Sequence, residues 1–174
     1  MQNRHLEKGA CGSRTMVLLG LAATAGIAAS TLVVVPALAT PGSAFGPPVA
    51  VSAGVFSPFR VNADKAAHWD LKLTSKDRTT VGVDKLVVQP GGYSGWHSHA
   101  GPTLVTVVSG RIIWQDGVGC SRKSYEAGDT FVEEANHVHN VLNQSGSPAE
   151  FIAIQMRPEG TGGRVDESQP PNCT

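Results

Sequence analysis

From Val51 to Met156 apolar and polar residues alternate in short runs, with almost no helical period. "WDLKLT" (69–74) alternates strictly, and "TTVGVDKLVVQP" (79–90) is rich in β-branched residues and stops at Pro90. "TLVTVVSG" (103–110) and "RIIWQDG" (111–117) predict two strands joined through Ser109-Gly110. "SYEAGDTFVEE" (124–134) turns at Gly128-Asp129. "HVHNVLN" (137–143) and "AEFIAIQM" (149–156) predict two more, separated by "NQSGSP". Only "VNADKAAHWD" (61–70) suggests a short helical turn. Short strands spaced by turns predict an all-β sandwich or barrel over 51–157. Alternation from Thr103 points Val105 and Val107 inward, and Phe131 with either Ile154 or Met156 is expected to close the interior. "TPGSAFGPPVA" (40–50) reads as a linker and the polar stretch 158–174 as a tail over the surface.

The pattern breaks at the N-terminus. Residues 1–14 carry Arg4, Lys8 and Arg14, and Thr15–Ala39 carries no charge at all. A basic segment, an apolar segment and Ala37-Leu38-Ala39 before a polar stretch describe a signal peptide cleaved after Ala39. An uncleaved membrane anchor is the alternative, since 15–39 is long enough to span a bilayer. Both place the domain outside the cytoplasm, secreted or anchored.

The chain has 14 basic and 14 acidic residues; residues 1–39 hold three of the former and one of the latter, leaving 11 and 13. A net charge of −2 with no basic patch argues against nucleic acid as a partner. Of the three cysteines, Cys11 lies in the leader, and Cys120 and Cys173 are an even pair in the exported part. A Cys120–Cys173 disulfide is expected, tying the tail to a loop.

The candidate chemistry is in "GWHSHAGP" (95–102). His97 and His99 stand two apart, on one face of an extended strand. His137 and His139 follow about forty residues later, within reach across an antiparallel barrel. Three imidazoles from two strands suit a divalent transition metal: Fe, Ni, Cu, Zn or Mn. Gly91, His97, His99 and Gly110, followed by Gly128-Asp129, His139 and Asn143, resemble the two motifs of the cupin superfamily. The likeness extends over about 80–156. It implies a single-domain jelly-roll β-barrel with His97, His99 and His139 as metal ligands. Asn143, four residues after His139, sets that register; with His137 as ligand, Val141 would fall at the Asn position.

Two departures from the pattern stand out. The first-motif Glu is replaced by Thr103, or by Leu104 if the spacer is one longer, and neither is a carboxylate. The second-motif Pro-x-Gly is Glu134-Ala135-Asn136, where Asn136 can take the left-handed conformation. Glu133 or Glu134 is a substitute source of a carboxylate from the turn, with Thr103 and the spare His137 as further accessory residues. Three-His iron sites occur among cupin thiol dioxygenases and diketone-cleaving enzymes, so the resemblance implies metal-dependent, oxygenase-like chemistry on a small molecule. The alternative is a non-catalytic module that binds a metal or small ligand. The resemblance also implies a homodimer through residues 51–61.

Overall fold

The computed structural model describes residues 39–63 and 69–173. The signal or anchor segment, and most of the expected helical turn near residue 65, lie outside the described residues. Among the described residues every regular element is a strand: β1 (Ser43–Phe45), β2 (Val49–Phe56), β3 (Phe59–Ala63), β4 (Leu71–Ser75), β5 (Thr79–Tyr93), β6 (His97–Ser98) and β7 (Thr103–Ser109). β8 (Arg111–Asp116), β9 (Arg122–Glu126), β10 (Thr130–Glu133), β11 (His139–Leu142), β12 (Ala149–Pro158) and β13 (Val165–Asp166) complete them. Eleven belong to one sheet in the order β10-β7-β12-β5-β11-β6-β13; β1 and β2 also pair with β5, and β8 joins β11 to β9. The sheet curls into a nearly closed jelly-roll barrel, and β3 and β4 form a separate hairpin.

Val88, Val105, Val107, Ile112, Tyr125, Val141, Ala149 and Phe151 form the core. Val105 and Val107 point inward from β7, while Leu104 and Val108 are exposed on its other face. Burying each such side chain contributes roughly 1.5–3 kcal/mol. Phe131 packs against this core, stacked on Tyr125 at 4.2 Å.

β7 and β8 are joined through Ser109-Gly110, as expected, and pair with different strands: β7 with β10 and β12, β8 with β9 and β11. Gly110, at φ 73, turns the chain from one side of the barrel to the other. Residues 40–50 are not a linker, because β1 and the start of β2 lie along β5. Pro and Gly left their extended backbone free to lie on a sheet edge. On β12 it is Phe151, Ala153, Gln155 and Arg157 that face the cavity, so Ile154 and Met156 lie on the opposite face.

Cys120 and Cys173 form a disulfide. It ties down a C-terminal segment in which β13 pairs with β6, setting Asp166 opposite His97. Glu167 fastens the same segment: its N–H donates to the Trp96 carbonyl and its carboxylate accepts from Ser98 Oγ.

Candidate metal centre

β6 is only two residues long, yet it is held on both sides, by β11 and β13. His97 lies directly opposite His139 in the β6–β11 ladder, with ring centroids 4.3 Å apart. His99 shares the face of His97, at 5.0 Å between centroids. The side-chain nitrogens of His97, His99 and His139 converge within 4.8 Å of one another, and all three residues are buried. The turn before His139 is clipped to the same strand. Asn136, at φ 58, donates its N–H to the His99 carbonyl at 2.8 Å.

Each imidazole is oriented by a carbonyl. His97 Nδ1 donates to Gly95 at 2.9 Å, His99 Nδ1 to Gly163 at 2.6 Å and His139 Nδ1 to His137 at 2.9 Å. A carbonyl only accepts, so each ring carries its proton on Nδ1 and turns the Nε2 lone pair inward. Burial, followed by the neighbouring His139, Arg164 and His99, pushes His97 well below its ordinary value, which keeps it neutral.

The carboxylate comes from Glu133, 4% exposed, on β10. Its Oε2 lies 3.2 Å from His99 Nε2 and its Oε1 3.1 Å from His139 Nε2. Burial by itself would raise the Glu133 carboxyl, and protonated His139 and His99 donating to it would hold it below the usual carboxylate range, which the neutral rings cannot do without a cation between them. Despite that proximity, the buried His139 Nε2 makes no well-directed hydrogen bond within the protein. Two nitrogen lone pairs turned toward a carboxylate at about 3 Å form an electron-rich cluster that a shared cation satisfies. Three imidazoles and one carboxylate match the donor set of a divalent transition metal.

The other accessory candidates are placed elsewhere. Glu134 is exposed on the turn, so it is its neighbour Glu133 that faces inward. His137 turns away from the cluster and pairs with Asp116 through Nε2 at 2.7 Å. Thr103, fully buried, is the residue opposite Glu133 in the β7–β10 ladder. Glu133 shares strand parity with the inward Phe131, which was the available sequence signal for choosing it over Glu134. Trp114, stacked on His139 at 5.8 Å, had no such signal.

A cavity of about 610 Å³ opens beside the cluster. His97, His99, Thr103 and Glu133 line it, with Phe45, Leu86, Val141 and Phe151 as an apolar wall and Gln155, Arg157, Arg164 and Asp166 as a polar one. Val105, Val107, Phe131 and Met156, expected as pocket residues, do not line it. The first three belong to the packed core beside it, and Met156 has the wrong parity.

Residues 85–155 match the family model described as "Cupin domain". No curated protein matches the chain. Solved structures similar to it include a double-stranded β-helix protein from Klebsiella pneumoniae, at 23% identity and TM-score 0.44, covering 64% of this chain and 86% of that one. A Cupin 2 conserved barrel protein from Salinispora arenicola is 23% identical, with TM-score 0.41 and coverages of 45% and 64%. The oxalate decarboxylase of Lactobacillus farciminis is 19% identical, with TM-score 0.44 and coverages of 49% and 26%.

Proposed function

The chain belongs to the cupin superfamily, and on that premise we propose that it is an exported cupin that binds one divalent transition metal at His97, His99, His139 and Glu133 and acts on a small molecule in the adjoining cavity. The observation that carries this is the convergence of three Nδ1-anchored imidazoles and one buried carboxylate on the wall of that cavity. A metal held there would supply Lewis-acid or oxygen-activating chemistry. The protein's own part is to fix the imidazole tautomers, exclude bulk water and present an apolar wall to the substrate. Most acid and base groups in reach are already engaged, Glu133 with His99 and His139, His137 with Asp116 and Asp166 with Arg164, which leaves Asp84 on the cavity wall. That scarcity of free general bases supports oxygenase-like chemistry, which needs little proton transfer from the protein. It equally favours the second reading, a module that binds without turnover.

The Cys120–Cys173 disulfide supports a destination outside the cytoplasm, since such bonds persist in oxidising compartments. Val51, Val55 and Phe56, exposed along β2, support self-association through residues 51–61. Elemental analysis of the purified full chain, then oxygen uptake with thiol, diketone and phenolic substrates, tests the proposal. One equivalent of metal with oxygen consumption supports the enzyme, tight metal without turnover the binding module, and no metal after reconstitution overturns both.

A further inference from the structure

We propose that the cavity takes a small carboxylate with an apolar body, anchored by Arg157; this rests on the reading that the cavity is the ligand site. Arg157 shares strand parity with Phe151, Ala153 and Gln155, so β12 points all four at the cavity. Its Nε donates to the Thr161 carbonyl at 2.8 Å, which fixes the plane of the guanidinium. Its Nη1 lies 3.2 Å from where a Cβ on Gly82 would sit, so the missing side chain of a buried glycine is the space the guanidinium fills.

Except for Asp84, the other charges of the cavity are committed. Arg164 is held by Asp166 at 2.6 Å and by the Ser94 carbonyl, and Glu133 faces the imidazoles. Among the described residues no carboxylate reaches Arg157 within 4.0 Å, although other arginines are paired this way. Its two Nη groups are therefore available for the bidentate, charge-assisted bonding that a planar guanidinium gives a carboxylate.

A second unmet group lies one step away along the ladder. Thr103 lines the same cavity, is fully buried, and its hydroxyl has no partner in the protein. A buried hydroxyl left unpaired is costly, so its partner is an oxygen of the cavity's occupant. Register arranges these groups in order: Phe151 opposite Leu86, then Gln155 between Gly82 and Thr103, then Arg157. The apolar body of the ligand thus lies toward Phe151 and Leu86, its middle beside Thr103 and the metal centre, and its carboxylate on Arg157. Asp84, opposite Ala153, lines the cavity between those ends, and its Oδ2 and Arg157 Nη1 lie 3.9 and 3.2 Å from the same Gly82 Cβ position, so it repels an anion placed nearer Phe151.

Calorimetric titration of the zinc-loaded full chain with 3-phenylpropanoate and with 3-phenylpropanol tests this. The acid is expected to bind at least about tenfold tighter than the alcohol. Arg157→Gln should abolish that preference, Arg157→Lys should keep part of it, and Asp84→Asn should strengthen it. Equal binding of acid and alcohol, or no binding of either, overturns the proposal. So does a preference that survives Arg157→Gln, since the carboxylate would then be going to the metal. Zinc content of each variant is measured in parallel, and the titrations are repeated on metal-free protein. An acid preference lost with Arg157 in both forms supports the anchor even if the metal reading fails.

Discussion

Thr103 and Glu133 are directly opposed on β7 and β10, and the carboxylate that faces the three-histidine cluster stands on the second of them. The cupin pattern expects it at the first. Opposed residues on a ladder have Cβ atoms about 4.5–5.5 Å apart, so a glutamate on either strand can reach the same point. The carboxylate of the proposed donor set thus stands one strand across the barrel from the position that the cupin pattern gives it.

Exchange of the two residues is therefore informative. Glu133→Gln should weaken zinc binding by at least about tenfold, because a neutral amide replaces a charged donor. The double variant Thr103→Glu/Glu133→Thr should recover much of that loss. Calorimetric zinc titration reads both, with circular dichroism as a check on the fold.

The two histidines of the second motif should separate cleanly. His139→Ala abolishes stoichiometric zinc binding, whereas His137→Ala leaves it within a few-fold, since the His137 carbonyl that orients His139 survives the substitution. Had His137→Ala been the damaging change, the second motif would be read in the wrong register.

Asp116 gives a pH dependence. Burial raises its carboxyl, but the Val118 N–H, His137 and the Gly119 N–H outweigh burial and hold it below its ordinary value. A depressed carboxyl stabilises the fold above the unfolded pKa of about 3.9 and loses that stabilisation as pH falls through the lower folded value. Asp116→Asn should thus lower the urea midpoint at pH 7, and the difference from the parent should shrink steadily below pH 4.

Much of this was readable in the residues. The alternation of "TLVTVVSG" gives β7 its inward valines, and the Asn143 spacing selects His139. Asn143 is fully buried, donating to the Val88 and Ser147 carbonyls and accepting from the Ser145 N–H. Asn143→Ala should cost about 2–3 kcal/mol in chemical denaturation, because it strands those groups. What escaped the sequence depends on strand partners. β12 is apolar on both faces, so parity alone did not show that Gln155 and Arg157 look inward. Pairing of β7 with β10 rather than β8 is a long-range choice that no local pattern encodes. Glu133 faces the imidazoles only because β10 pairs with β7.

The disulfide should matter to the metal centre as well as to stability. It closes the segment that supplies the Gly163 carbonyl for His99 and the Arg164 and Asp166 side chains of the cavity. By the chain-entropy model a bridge over 53 residues contributes about 4 kcal/mol. Cys120→Ser/Cys173→Ser should lower Tm and raise the zinc Kd by roughly 10-fold or more, as expected when the partner orienting a ligand is loosened.

The ligand set itself is read by X-ray absorption at the zinc edge on the metal-loaded full chain. Three imidazole nitrogens plus carboxylate oxygen in the parent, with an oxygen-shell change in Glu133→Gln, is the expected result. Fewer than three imidazoles in the parent, or a spectrum unchanged by Glu133→Gln, would contradict a four-residue centre that spans β6, β10 and β11.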